Sequence, residues 1–223
     1  MQADNLTGKS DSHITWLRKG IGIHTAIAEP WHTMCQAAKA DSIDLEIVSG
    51  FRNFDRQLNI WNAKFLGNRP VKDLSNNTLN LTNVSAQQKI EAIMLYSALP
   101  GASRHHWGTD IDVYSPSMLA KNRELQLEPW EYDATGPFAQ LYDWLENNAR
   151  QFGFYFPYSE YRGGVAPEPW HLSFFPLADI YTKSLSIDAI SDAISNSDIE
   201  GKSDILTMLP SLYNKFITNI KMS

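Results

Sequence analysis

Cysteine is nearly absent from this sequence: Cys35 stands alone among 223 residues. A lone thiol forms no internal disulfide, so nothing here fixes a redox compartment. Its setting in an apolar helical stretch predicts a buried, inert side chain rather than a nucleophile. Apolar runs of membrane-spanning length are missing as well, so no integral membrane segment is expected. Basic clusters are also missing. With 19 Lys and Arg against 25 Asp and Glu, the net charge of -6 argues against a nucleic-acid partner. That mild acidity favours solubility and says little about substrate. Neither an internal repeat nor a low-complexity tract interrupts the chain. With 43% hydrophobic residues the length supports one well-buried domain over 1–223, with a polar segment at 1–13 and a helical extension at 185–223.

What the sequence does hold is two short stretches of reactive side chains. The first is Ser103-Arg104-His105-His106-Trp107-Gly108-Thr109-Asp110-Ile111-Asp112-Val113, and the second is Glu168-Pro169-Trp170-His171. Thr109 to Val113 alternates polar and apolar, the pattern of a half-buried strand. Residues two apart share a face, so Asp110 and Asp112 lie opposite Ile111 and Val113. Gly108 permits a tight bend that swings a preceding histidine back beside Asp112. Pro167 and Pro169 hold Ala166 and Glu168 extended, which excludes a helical His-Glu-x-x-His motif, and Trp170 to Phe175 reads as a buried strand. Two imidazoles, a carboxylate and a spare glutamate are the parts of a catalytic zinc site with an open position for water. His105, Asp112 and His171 are the expected ligands. Zinc is the expected ion, because two nitrogens and one oxygen suit it. Glu168 is the expected general base. His106 is the rival ligand. Neighbours in an extended segment point opposite ways, so only one of the pair faces the ion. With a metal to activate water, Ser103 is not needed as a nucleophile.

Ser-x-His-x-x-Gly-x-x-x-Asp followed by Glu-x-Trp-His resembles the zinc D-alanyl-D-alanine carboxypeptidases related to VanY, in the wider LAS group of peptidoglycan peptidases. Ser49-Gly50-Phe51-Arg52 with Gln57 after it, and Ala98-Leu99-Pro100-Gly101 ahead of Ser103, match further elements of that family. The resemblance runs from about Ile43 to Phe175. It implies that His105 rather than His106 is the ligand. It also implies that Arg52 and Gln57 hold the substrate near its scissile bond, Arg52 acting beside Glu168 in catalysis, and that Ser103 orients substrate or a ligand. The implied partner is a peptidoglycan stem peptide or muropeptide. The chain departs from the family at Asp110, where a small residue is usual. That carboxylate tunes a ligand, binds a substrate amine or salt-bridges a nearby Arg. Peptidoglycan lies outside the inner membrane, whereas MQADNLTGKSDSHI has neither a basic n-region nor an apolar h-region. The expected location is therefore the cytoplasm for the chain as written, and the periplasm or cell envelope if a leader has been removed.

Elsewhere, hydrophobic spacing predicts helices over 24–40, 53–65, 85–97 and 138–152, and two more between 187 and 221. Ser85 and Gln88 have the spacing of a capping box, and Gly153 stops the fourth helix. Short strands are expected at 43–48 and 154–156. Residues 1–13 are expected to be mobile. The Asn- and Thr-rich stretch 67–84 is either a rim of the cleft or a disordered insertion, and the loop 158–167 is expected to cover the cleft. His24 and His32 are expected at the surface or behind the site. Trp107, Trp130 and Trp170 read as core. The stripe Leu206, Leu209, Leu212, Phe216 and Ile220 either packs on the domain or forms a dimer contact, and oligomeric state is not encoded.

The expected architecture is α+β. Helices from the N-terminal half pack on a small, mainly antiparallel sheet carrying the zinc site, the LAS-type or Hedgehog-like peptidase fold. The expected function is removal of the terminal D-alanine from stem peptides by a zinc D,D-carboxypeptidase. The alternatives are an L,D-carboxypeptidase or endopeptidase of the same group, and a non-catalytic wall-binding module. The spare Glu168 argues against the last.

Overall fold

In the computed structural model, which describes residues 2–221, helix α1 (Ala3–Thr7) leads into a hairpin of β1 (Ile14–Arg18) and β2 (Ile21–His24). Then come α2 (Ala28–Ala40), β3 (Glu46–Ser49), α3 (Phe54–Phe65), α4 (Ala86–Met94) and β4 (Asp110–Tyr114). Helix α5 (Ala139–Asn148), β5 (Phe154–Tyr155) and β6 (His171–Phe174) complete the central part, and α6 (Phe175–Ser184), α7 (Ile187–Ser195) and α8 (Lys202–Leu212) follow. The capping box at Ser85 and Gln88 is formed, and Asn53 caps α3 by accepting from the Arg56 N–H.

Four of the strands make one antiparallel sheet in the order β3-β4-β6-β5. Strand β4 is therefore flanked on both sides. All of Asp110, Ile111, Asp112 and Val113 are buried, so this strand is not half-buried as its alternation predicts. Ile47, Ile111, Val113 and Leu172 point to one core shared with Trp31, Met34, Leu141 and Leu145 of α2 and α5. A second core joins Trp61, Ile90 and Ile93 of α3 and α4 to Ile190, Ile205, Leu209 and Leu212 of α7 and α8. Helices of the second half thus contribute as much as those of the first, which the sequence reading assigned to the N-terminal half. The C-terminal stripe packs on the domain: Leu209, Leu212 and Phe216 are all buried.

The chain start is anchored rather than mobile. Leu6 and Thr7 are buried, and the Trp107 indole donates to the Leu6 carbonyl at 3.1 Å. The β1–β2 hairpin has no clear sequence signal, because the outer strand is mostly exposed and carries no alternation. Phe175 opens α6 rather than closing β6, with Pro176 supplying a residue that needs no amide partner in a first helical turn. Trp107 and Trp170 are core, whereas Trp130 is 37% exposed and donates to Glu128. Cys35 is half-buried, its thiol facing the Leu45 carbonyl. Burial, with Asp44 and Glu46 nearby, pushes the thiol up to about 12, which keeps it inert. Residues 67–84 form an ordered rim. Asp73 accepts from the amides of Ser75 and Asn77, and Glu128 binds Lys72 and Asn76.

Candidate metal centre

Register brings the two reactive stretches together. Asp112 of β4 pairs directly with His171 of β6, and Asp110 pairs with Ser173. Directly opposed residues of an antiparallel pair share a face with Cβ atoms about 5 Å apart. That face lies at the floor of a cleft of about 480 Å³, lined by His105, Asp112, Glu168, His171, Arg52 and Ser103 among others.

His105 reaches the same floor by a different geometry from the extended one predicted. Arg104–Trp107 is a single 3-10 turn, closed by Gly108 in the left-handed region at φ 66°. Successive side chains of such a turn diverge by about 120°. The two histidines therefore separate, though not by strand alternation. A side chain at Gly108 would lie 2.5 Å from Ile14 Cδ1 and 2.7 Å from the His24 amide, so only glycine lets β2 approach. His105 Nδ1 donates to the Gly50 carbonyl at 3.0 Å, which turns its Nε2 lone pair to Asp112 Oδ2 at 3.4 Å. His106 points away. It donates from Nδ1 to the Arg52 carbonyl at 2.6 Å and accepts at Nε2 from the Gly101 amide at 3.0 Å. Burial pushes its pKa down to about 3, so it stays neutral. His24 and His32 lie apart from the site: His24 Nδ1 accepts from the Ala26 amide, and exposed His32 meets Gln36.

His171 donates from Nε2 to Asp110 Oδ1 at 3.0 Å, so its Nδ1 lone pair faces Asp112 Oδ1 at 3.2 Å and Glu168 Oε2 at 3.3 Å. Ligand atoms of His105, Asp112 and His171 all lie within 4.8 Å of one another. Asp112 Oδ1 and His171 Nδ1 are buried without a hydrogen-bond partner. Acceptors thus face acceptors. Burial would depress the His171 imidazole, yet Asp110, Asp112 and Glu168 outweigh it and raise its proton affinity. Such a concentration of inward lone pairs and negative potential fits a divalent cation.

Asp110 is fully buried. It accepts from Arg104 Nε at 2.7 Å on the same oxygen that holds His171, and from the Thr109 hydroxyl on the other. Two of the three sequence readings are therefore combined, the ion pair with an Arg and the contact with a ligand, while a substrate amine has no access. Arg104, which the sequence reading left without a role, also donates to Ser173 Oγ at 2.7 Å and Thr182 Oγ1 at 3.0 Å.

Arg52 lies in the cleft wall with Nη2 4.0 Å from Asp112 Oδ2 and a buried, unpartnered Nε. Gln57 does not reach the cleft as a substrate-binding residue would. It is fully buried behind Arg52, accepting from Nη1 at 2.9 Å and donating to the Ala98 carbonyl at 2.7 Å, while Ser49 Oγ accepts from Nη2. Glu168 and Ser103 border the cavity, and the Tyr158 ring stands edge-on to His171 at 5.0 Å. His105→Ala is expected to abolish stoichiometric metal binding. His106→Ala is expected to leave binding intact while destabilising the fold by about 1–3 kcal/mol, the cost of orphaning buried partners. Metal content after dialysis and chemical denaturation read the two effects separately.

Residues 20–177 match the family model of VanY, D-alanyl-D-alanine carboxypeptidase. The chain belongs to this VanY family. The match runs from the hairpin into α6, covering the whole sheet, and α7 and α8 lie outside it. An uncharacterized protein of Haemophilus influenzae is 35% identical over 121 residues, which is 53% of this chain and 92% of that protein. Among solved structures, VanYB in complex with D-alanine-D-alanine aligns with a TM-score of 0.54 at 21% identity, covering 85% of this chain and 92% of that one. A Glu-to-Ala variant of the vancomycin resistance D,D-pentapeptidase VanY in complex with Zn(II) aligns with a TM-score of 0.53 at 23% identity, covering 81% and 92%. At these identities the two structures show that the VanY-family peptidase fold is shared, a mixed arrangement of helices on small antiparallel sheets.

Proposed function

We propose that this VanY-family protein is a zinc D,D-carboxypeptidase that removes the terminal D-alanine from peptidoglycan stem peptides. The observation that carries the reading is the floor of the cleft. Three buried ligand atoms lie within 4.8 Å of one another, with a further carboxylate, Glu168, beside them. A structural metal site has no use for that spare carboxylate, whereas a hydrolase needs a base there. His105, Asp112 and His171 would hold the ion, which when bound supplies Lewis acidity and lowers the pKa of its water to about 7. Glu168 takes the proton from the attacking water and returns it to the leaving amine. Arg52, clamped by Ser49 and Gln57, presents a fixed guanidinium next to the scissile group, where charge develops on the carbonyl oxygen. Trp170 and Tyr158 wall the site and limit water. The related VanY proteins solved with D-alanine-D-alanine and with Zn(II) support the choice of substrate and ion.

The test combines metal analysis with mass spectrometry of a UDP-muramoyl-pentapeptide digest. Loss of one D-alanine, abolished by a chelator and restored by zinc, is the expected result. Cleavage of a tetrapeptide instead assigns L,D-carboxypeptidase activity, and opening of cross-linked muropeptides assigns an endopeptidase. A metal-loaded protein that cuts none of them is a wall-binding module, and the enzyme reading fails.

A further inference from the structure

We propose that the segment after α8 is a positioning element of the active site: Asn219, the Lys215 carbonyl and the Lys221 amide hold the cleft loop from Pro157 to Ala166 and so place Glu168. The proposal rests on the peptidase reading, in which Glu168 is the base. The loop lies between β5 and β6 and contains no helix or strand. Its residues Tyr158 and Val165 line the cleft, and Glu168 follows just beyond its end. Gly163, at φ 86°, and Gly164 give the loop backbone more freedom to lose than other residues would. The loop's own ion pair, Arg162 with Glu160, is exposed on both members and holds little.

What fixes the loop comes from outside it. Among the described residues, its outward hydrogen bonds run to Leu95, to Glu168 and to the tail. The Lys221 amide donates to the Pro157 carbonyl at 3.0 Å, and the next carbonyl, that of Tyr158, accepts from the Glu168 amide at 2.9 Å. Asn219 Nδ2 donates to the Arg162 carbonyl at 2.7 Å. Gly164 is buried against the tail, and a Cβ there would collide with the Lys215 carbonyl oxygen. One tail contact thus lies a single residue from the carbonyl that holds the base. The tail itself is fixed. Phe216, Ile217 and Ile220 are buried, Lys215 Nζ donates to Glu91 of α4 at 2.7 Å, and the Tyr213 hydroxyl donates to the Leu185 carbonyl at 2.7 Å. Tyr213–Ile217 forms a π turn, a rare geometry that recurs at functional sites. Core filling explains the three buried apolar side chains. It explains neither an amide aimed at the Arg162 carbonyl nor a bare Cα facing the Lys215 carbonyl. The loop lies within the residues matched by the family model, and the tail lies beyond them.

The experiment uses the full chain, metal-loaded, as wild type, Asn219→Ala and Gly164→Ala. Gly164 is outside the left-handed region, so alanine suits its backbone and conflicts only with the tail. Amide exchange over 158–166 is expected to quicken about 2- to 10-fold in Asn219→Ala, the effect of one lost hydrogen bond, while α2 and α5 keep wild-type rates. Gly164→Ala is expected to lower kcat about 10- to 100-fold with metal content unchanged, the usual effect of misplacing a catalytic group by a small distance. Placed on Glu168→Gln, Gly164→Ala is expected to lower kcat no further, because the base it displaces is already gone. Unchanged loop exchange in both variants overturns the proposal. So does wild-type kcat alongside a loosened loop. A Gly164→Ala effect that persists in full on Glu168→Gln also overturns it, since the tail would then act on something other than the base. A wild-type protein that hydrolyses no stem peptide removes the peptidase reading instead, and loop exchange alone then decides whether the tail holds the loop.

Discussion

Glu168→Gln is expected to leave metal stoichiometry at the wild-type value while lowering kcat about 10²- to 10⁴-fold, the usual range for a lost general base. Glutamine keeps the length and polarity of the side chain but cannot accept a proton. Its backbone stays in place, because Pro167 and Pro169 stiffen the approach and the Glu168 amide donates to the Tyr158 carbonyl at 2.9 Å. Three ligands remain in His105, Asp112 and His171, so the ion has no need of Glu168 as a fourth. Binding of the uncleaved peptide should survive. Metal analysis, calorimetry and a turnover assay on one preparation separate these effects. Loss of the ion together with activity would make Glu168 a ligand instead of a base, and wild-type turnover would remove it from the chemistry.

The parts of the site legible in the sequence are those set by short-range rules. Alternation placed Asp112 on a strand with Asp110 on the same face, Gly108 marked the bend, and the prolines marked the extended entry to His171. What no local rule carries is which strands become neighbours. The Asp112–His171 pairing depends on a register between segments some sixty residues apart, and only the three-motif resemblance pointed to it. Both faces of β4 are buried because other elements pack over each of them, α2 and α5 over Ile111 and Val113 and Arg104 over Asp110, which alternation cannot report. Gln57 illustrates another limit. A motif preserves a residue's importance but not whether it touches the ligand, and here the amide is spent on Arg52 and the Ala98 carbonyl. His105 and His106 diverge because they sit in a 3-10 turn and not in an extended segment, although either geometry lets just one of them face the ion. The anchoring of the chain start carries no sequence signal, because a five-residue helix with two buried side chains has no periodicity to detect. Arg104 was invisible as a partner of Asp110 because the contact spans a turn and a strand.

That contact predicts a large and separable effect. Asp110→Ala is expected to destabilise the metal-free fold by about 3–5 kcal/mol, the cost of leaving one member of a buried ion pair uncompensated. Arg104 has a side chain 4% exposed, and without Asp110 its charge faces the neutral oxygens of Ser173, Thr182 and Tyr155 and the Trp107 ring, with no carboxylate in salt-bridge reach. The same substitution deprives His171 Nε2 of its acceptor, which fixed both the tautomer and the ring direction. Metal affinity should fall about 10- to 100-fold, as for other lost partners of ligating histidines. The two consequences come apart in Asp110→Ala combined with Arg104→Met. Removing both charges leaves neither member of that ion pair uncompensated and should restore most of the stability, since buried pairs are replaceable by apolar groups of similar volume. It should not restore metal affinity, because the imidazole still lacks its acceptor. Denaturation of the apo proteins and competition with a chromogenic chelator measure the two quantities independently. If the double variant recovers both together, Asp110 acts on the metal only through the integrity of the fold, and its hold on His171 carries no specific weight.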